Sequence, residues 1–220
     1  TLKRRYSMYK NKRVFVSFIT VFIVISFLFP TQAYYLNSAK PITKGSNGFS
    51  CIYLLTFKHE SLMPYLNTAE SKKGLYLMNL AFMERNTDVV ELMLAQNHAI
   101  GLITQSNKEE FNLDTFKKEL EQFRKITGSL PLWATSENED FSEELLKASH
   151  AAAINMLAAN TYFNSSYAAS SLPKGSFLFI AANQHFDFHS KPHLSLIGSE
   201  QVRSIEENLF NLKTIEESMP

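Results

Sequence analysis

The sequence predicts an α/β fold with a largely parallel sheet and helices on its outside. From residue 50 onwards, short apolar runs of strand length alternate with longer segments of helical periodicity. The 220 residues are 45% hydrophobic and 20% charged, which is enough to bury a sizeable core in one main domain. Alternation of this kind is typical of parallel sheets, because each crossover between parallel strands is usually made by a helix.

Six apolar runs have the length of buried strands. The first is "IYLLTF", and the last is "GSFLFIAAN", which follows a Pro-Lys-Gly turn. The predicted strands are residues 52–57, 74–80, 98–104, 130–136, 152–160 and 175–183.

Four segments between or after these strands are predicted to be helices: residues 87–96, 113–128, 140–150 and 199–217. The second has the clearest periodicity, with Leu113, Phe116, Leu120 and Phe123 on one face and Gly128 as the stop signal.

The first 33 residues indicate export. Six basic residues precede an uncharged apolar run, "VFVSFITVFIVISFLF", and Thr31-Gln32-Ala33 forms a small-x-small end. We expect either a signal cleaved after Ala33 or a retained membrane anchor, so the body is extracytoplasmic, anchored or secreted. Residues 34–49 have a linker composition, and residues 50–220 form the predicted domain.

Charge and cysteine content exclude several functions. Beyond Ala33 there are 16 basic and 21 acidic residues, so the body has no excess of positive charge for binding nucleic acid. The single cysteine, Cys51, excludes an intrachain disulfide and a cysteine-rich zinc site.

Polar residues follow the first strand where an α/β fold usually places its chemistry, at the carboxyl end of the sheet. The stretch "YLLTFKHES" changes there from apolar residues to Lys58, His59 and Glu60. The third strand runs into "HAIGLITQSN", and the last reads "GSFLFIA".

The order of the segments and these stretches resemble the NodB-type polysaccharide deacetylases of carbohydrate esterase family 4. The resemblance covers residues 50–183, and it rests on framework positions. The matching positions are Thr56, Phe57, His98, Ile100, Gly101, Thr104, Ser106, Gly175 and Ser176. It implies a distorted (β/α) barrel and an ancestry of metal-dependent removal of acetyl groups from chitin-like glycans and peptidoglycan.

The resemblance also implies which site residues have been replaced. The family's first motif, Thr-Phe-Asp-Asp-Gly-Pro, supplies a general base and then a metal ligand, and these positions hold Lys58 and His59. The two metal-binding histidines of His-Thr-x-Ser-His are replaced by Ile103 and Asn107. An aliphatic side chain cannot bind a metal, and an amide oxygen is a poor zinc ligand.

The remaining motifs are altered as well. The arginine that orients the base corresponds to Trp133 or Ala134, and the histidine that acts as general acid corresponds to Ala181. We therefore predict a pseudoenzyme without catalytic residues or cofactor, because the parent reaction needs both a metal-bound water and a proton donor.

One alternative is a divergent metal-dependent deacetylase with a rebuilt site. Zinc or another divalent metal would then be held by His59 and Asn107, or by His185, Asp187 and His189 in "QHFDFHSKPH". The simpler interpretation of that second cluster is a solvated loop.

Aromatic residues near the expected site suggest a binding function. Sugar rings stack on exposed aromatic faces, and Trp133, Tyr162, Phe163 and Tyr167 are candidates for such contacts. The expected partner is a cell-wall glycan or an envelope protein. A further alternative is a structural interaction module in which Ile103, Ala181 and the aromatics fill the old cleft.

Overall fold

The structure, a computed structural model, describes residues 40–58, 60–106, 110–165, 169–182 and 186–210. The predicted membrane segment (1–33), residues 34–39 of the predicted linker, and the candidate site positions His59, Asn107, Tyr167 and His185 lie outside these ranges. Among the described residues, no helix combines the length and the apolar character that a membrane span requires.

Seven described strands form one parallel sheet that curls into a half-barrel, which confirms the predicted fold class. The strands are β1 (Phe49–Leu55), β2 (Leu75–Met78), β3 (Ala99–Thr104), β4 (Trp133–Ser136), β5 (Asn155–Met156), β6 (Thr161–Tyr162) and β7 (Ser176–Ala182). Their order is β5-β4-β3-β2-β1-β7-β6, so β5 and β6 are the edges. Each of the six predicted strands corresponds to one of these, and only the two-residue β6 was not predicted.

The described helices are α1 (Leu62–Leu66), α2 (Leu80–Arg85), α3 (Thr87–Ala95), α4 (Leu113–Thr127), α5 (Glu143–Ala151), α6 (Lys191–Ile197) and α7 (Ile205–Phe210). Short 3-10 turns occur at Glu70–Lys73 and Ala169–Ser171. The sequence predicted α3, α4 and α5, but it did not predict α1, α2 or α6, each of which has seven residues or fewer.

Both faces of the central strands are buried, which explains why they are continuous apolar runs rather than alternating ones. On β1, Tyr53 and Leu55 belong to the cluster between the sheet and the helices. The alternate residue Ile52 faces the barrel interior, where the register places it beside Leu75 of β2 and Phe179 of β7. The apolar residues of this inner face are Ile52, Leu75, Leu77, Ile103, Trp133, Leu157, Phe177 and Phe179.

Helix α4 shows how local signals fix an element. The Asn112 side chain accepts a hydrogen bond from the Thr115 backbone N–H at 2.9 Å, which caps the first turn. Gly128 ends the helix in the left-handed region with φ 85°, as the sequence predicted. The buried apolar side chains of the helix are Phe116, Leu120 and Phe123.

Residues 41–48, which the composition assigned to the linker, are hydrogen-bonded to the domain. Ile42 pairs with the edge strand β5: its N–H donates to the Met156 carbonyl at 2.7 Å. The chain then reaches the amino end of β7, where Gly45 N–H donates to the Gly175 carbonyl at 2.8 Å and Gly175 N–H donates to that of Gly48 at 2.5 Å. This segment therefore belongs to the fold of the domain.

Two predictions near the C-terminus need correction. The closing helix was expected from residue 199, but α7 begins at Ile205, because Val202 instead forms a parallel bridge with Phe49. In "QHFDFHSKPH", Asp187 and His189 are exposed and lie outside helices and strands, as a solvated loop predicts. The end of this stretch differs: α6 begins at Lys191, with a proline in its first turn, and His193 is fully buried.

Candidate functional site

The carboxyl ends of the parallel strands meet at one edge of the half-barrel, which we call the mouth. The described side chains at or just beyond these strand ends include Lys58 after β1, Gln105 after β3, Glu137 and Glu139 after β4, Tyr162 in β6 and Ala181 in β7. The sheet therefore brings together residues that are more than 100 positions apart in the chain.

Lys58, where the resemblance implies a general base, forms an ion pair with Asp88 in the first turn of α3. The Nζ–Oδ2 distance is 2.5 Å, and both side chains are exposed, at 42% and 56%. The hydrogen bond from Lys58 lowers the pKa of Asp88, which therefore stays ionised. The Lys58 side chain therefore acts here as a hydrogen-bond donor to a carboxylate, an arrangement unsuited to a general base, which has to accept a proton from its substrate.

The end of β3 and the turn after it are held by packing and by side-chain hydrogen bonds. Ile103, where the resemblance implies a metal ligand, is 3% exposed on the inner face of β3, in register with Thr135. The neighbouring hydroxyl groups form a network with Glu119 of α4. The Thr104 hydroxyl donates to the Glu119 carboxylate, and the Thr104 and Ser106 hydroxyl oxygens are 2.7 Å apart.

Glu119 completes this network by accepting the Gln105 backbone N–H at 3.0 Å. Burial raises the pKa of Glu119 above its usual range. Its carboxyl group thus joins α4 to the chain that leaves β3. The two framework residues of this stretch, Thr104 and Ser106, therefore hold the turn in place.

The third motif offers no exposed aromatic ring. Trp133 is 2% exposed and Ala134 is fully buried, because both lie within β4. The expectation that Trp133 presents a face to a sugar is therefore wrong. On β7, by contrast, Ala181 is exposed at the mouth and lies in register with Leu54 of β1.

Tyr162 is an exposed aromatic residue at the mouth. It is 55% exposed, its ring meets Phe179 edge-on at 6.4 Å, and its hydroxyl donates to the carboxylate of Glu139. Burial of the hydroxyl and the neighbouring Glu139 raise the pKa of Tyr162 to about 12, so this phenol is a donor at neutral pH. Phe163 is half-buried, and its ring packs on Phe186 at a centroid distance of 5.8 Å.

Sequence reasoning missed three polar residues of the mouth. Gln105 donates from Nε2 to the carboxylate of Glu137 at 3.0 Å, and Glu139 accepts from Tyr162. The signal was the acidic stretch "ENED", which directly follows the buried strand β4.

The histidine cluster does not come together as a unit within the described residues. Asp187 and His189 are exposed, and Asp187 accepts the His189 backbone N–H at 2.8 Å. His193 is buried: Nδ1 lies 2.7 Å from the Phe188 carbonyl and Nε2 2.8 Å from the Tyr53 hydroxyl. Over residues 40–58, 60–106, 110–165, 169–182 and 186–210, no three His, Cys, Asp or Glu side chains are grouped to hold a metal.

Solved structures of carbohydrate esterase family 4 share this fold. A CE4 family pseudoenzyme from Bacillus anthracis matches with a TM-score of 0.56 at 12% identity, over 66% of this chain and 59% of that one. The peptidoglycan N-acetylglucosamine deacetylase Bc1960 matches with a TM-score of 0.62 at 12% identity, over 76% and 91% of the two chains. The chitin deacetylase of the fungus Colletotrichum lindemuthianum matches with 0.61 at 14% identity, over 78% and 92%.

These likenesses confirm the predicted fold. The chain spans less than two thirds of the length of the Bacillus anthracis pseudoenzyme. No protein-family model matches the sequence, and no curated protein sequence does.

Proposed function

We propose that this chain is a catalytically inactive deacetylase-like protein that binds a cell-wall glycan at the mouth of its half-barrel. The observation that carries the proposal is how the three described catalytic positions are occupied. Lys58 is held in an ion pair, Ile103 is packed into the barrel interior, and Ala181 presents a methyl group.

These replacements affect each part of the parent mechanism. Hydrolysis of an acetamide requires a metal-bound water, a base to deprotonate it and an acid to protonate the leaving amine. Lys58 is engaged as a hydrogen-bond donor to Asp88, the isoleucine side chain has no atom that can bind a metal, and the alanine side chain has no acidic proton. Ile103 is also part of the apolar interior of the barrel, beside Thr135 of β4. A metal-binding histidine at this position would therefore have to be buried in an apolar environment.

Binding needs less than catalysis, and the mouth retains what binding needs. The exposed ring of Tyr162 offers a flat apolar surface for the C–H face of a sugar. The carboxylates of Glu137 and Glu139 offer acceptors for sugar hydroxyl groups at the same edge. Two of the three structural neighbours described above are named as deacetylases of glycans, and the third as a pseudoenzyme.

Export is part of the proposal, and its support comes from the sequence. The basic flank and the apolar run of residues 14–29 would carry the domain across a membrane and, if uncleaved, anchor it there. A tethered glycan-binding domain would then act in envelope or cell-wall assembly.

The test uses the full chain in detergent, supplied with zinc. It measures acetate release from acetylated glycan oligomers, and the binding of glycan oligomers with and without acetyl groups. We expect binding without acetate release, and weaker binding by Tyr162→Ala. Metal-dependent release that is lost in His59→Ala would overturn the proposal in favour of a rebuilt enzyme. Absence of glycan binding by a folded protein would instead favour a structural interaction module.

A further inference from the structure

The mouth carries a strong excess of negative charge. Among the described residues of the loops that follow the strands, one is a lysine, Lys58, and six are acidic: Glu60, Glu110, Glu137, Glu139, Asp140 and Asp187. The charge of Lys58 is itself offset by Asp88 of α3. A surface with this balance attracts cations and repels anions.

The exposed ring of Tyr162 lies directly beside one of these carboxylates. The Glu139 carboxylate accepts from the Tyr162 hydroxyl, so it sits at the outer end of the ring. The other side of the ring is supported by Phe179, and two residues further along the same strand is the exposed Ala181. A sugar stacked on the Tyr162 ring would therefore lie near the exposed methyl group of Ala181 on one side and near the Glu139 carboxylate at its edge.

A second carboxylate is oriented in the same region. Gln105 at the end of β3 holds Glu137 through its side-chain amide at 3.0 Å, so the first residue after β4 also presents its oxygens at the mouth. Carboxylates accept hydrogen bonds and cannot donate them. They suit a ligand that brings donors, and charged donors make the stronger bonds.

We propose that the glycan bound at the mouth is one with free amino groups, a de-N-acetylated amino sugar whose ammonium pairs with Glu139 or Glu137. This inference rests on the proposed glycan binding and names its substrate class. An acetamido group in the same place would carry no charge and would offer the carboxylates one neutral N–H donor in place of an ammonium group. The ligand is thus a product of glycan deacetylation, the reaction for which two structural neighbours are named, rather than its substrate.

The experiment compares two short oligomers of equal length, one of glucosamine and one of N-acetylglucosamine, titrated into the full chain in detergent at mildly acidic pH and low salt. We expect the glucosamine oligomer to bind more tightly by at least about tenfold, and its affinity to fall as salt is raised. Glu139→Gln should lower that affinity by about threefold or more, with little effect on the acetylated oligomer. The matched control is Glu91→Gln, which removes the same charge from an exposed position on α3.

The outcomes separate this inference from the proposed function. Equal binding of the two oligomers, tighter binding of the acetylated one, or an equal loss in Glu139→Gln and Glu91→Gln would overturn the amine preference while leaving glycan binding intact. If neither oligomer binds, both the amine preference and the proposed glycan binding are wrong. Tyr162→Phe, which keeps the ring but frees Glu139, shows whether the fixed position of the carboxylate matters: we expect it to reduce the preference and retain the stacking.

Discussion

The two ends of the half-barrel are built differently. At the amino end, residues 41–48 run from β5 to β7, and the Asn208 side chain of α7 accepts the Asn47 backbone N–H at 3.1 Å. Backbone hydrogen bonds and close glycine contacts dominate there. At the mouth, contacts are made by side chains that are partly exposed, such as Lys58 with Asp88 and Tyr162 with Glu139.

The charge distribution follows the same division. The described segments that lead into the strands contain five lysines, Lys40, Lys44, Lys72, Lys73 and Lys174, and one acidic residue, Glu70. The loops that leave the strands are acidic, as described above. From this difference and the proposed glycan binding, we expect changes at the amino end to alter the free energy of unfolding and changes at the mouth to alter binding.

The largest effect is expected for Gly175→Ala at the amino end. Gly175 has φ 82°, and a Cβ atom there would overlap the carbonyl oxygen of Gly45. We expect the free energy of unfolding to fall by more than about 3 kcal/mol, measured by urea denaturation. Gly128→Ala is the matched control, because Gly128 has φ 85° but nothing within 4 Å of its would-be Cβ. It should cost only about 1–2 kcal/mol, and equal losses would contradict a packed amino end.

The next prediction concerns a buried network between the two ends, on the helix side of the sheet. His193 bonds the Tyr53 hydroxyl, which lies 2.8 Å from that of Tyr65. Burial lowers the pKa of His193 in the folded state. Below the unfolded-state pKa of about 6.5, this histidine is protonated in the unfolded chain but stays neutral in the folded one. The free energy of unfolding therefore falls as the pH falls, by at most about 1.4 kcal/mol per pH unit.

The test is His193→Gln, followed by urea denaturation between neutral and mildly acidic pH. The variant should be about 2 kcal/mol less stable at neutral pH, and its stability should depend less on pH. Some pH dependence remains, since burial also lowers the pKa of His98. His189→Gln, at an exposed site, serves as the control; the prediction fails if the two variants have the same pH profile.

A smaller effect is expected where α4 meets the turn after β3. Glu119→Ala would leave the Thr104 hydroxyl and the Gln105 backbone N–H without their carboxylate partner. We expect a loss of about 2 kcal/mol in the free energy of unfolding. Glu121→Ala, which removes an exposed carboxylate paired with Arg124 on the same helix, should be nearly neutral. Similar losses for both would show that Glu119 does not hold the turn.

Much of the fold was predictable from the sequence, because buried parallel strands and amphipathic helices have distinct apolar patterns. The run before Leu55 and the spacing along α4 are examples. Short elements were not predictable in this way. Helix α6 has seven residues, and its fully buried His193 gives no apolar signal in the sequence.

The sequence predicted which catalytic positions of the candidate site are replaced, but it did not predict the side-chain contacts that are formed there. Ile103 and Ala181 are conspicuous because they stand where a resemblance implies chemistry. The pairing of Gln105 with Glu137 depends on two strands that are neighbours only in the folded sheet. Trp133 was misjudged because the sequence does not show where a strand begins and ends. Trp133 is the first residue of β4 and therefore lies at the end of the strand opposite the mouth.

The smallest effect on stability is expected at the mouth itself, for Lys58→Ala. Both members of the Lys58–Asp88 pair are exposed, so water and salt screen their attraction, and the melting temperature should not change measurably. Removing this cation leaves Asp88 uncompensated and makes the mouth more negative. Binding of a glucosamine oligomer at low salt should therefore become slightly tighter, and the gain should vanish at high salt. A drop in melting temperature without a change in binding would contradict the assignment of stability to the amino end and binding to the mouth, since a side chain at the mouth would then be supporting the fold.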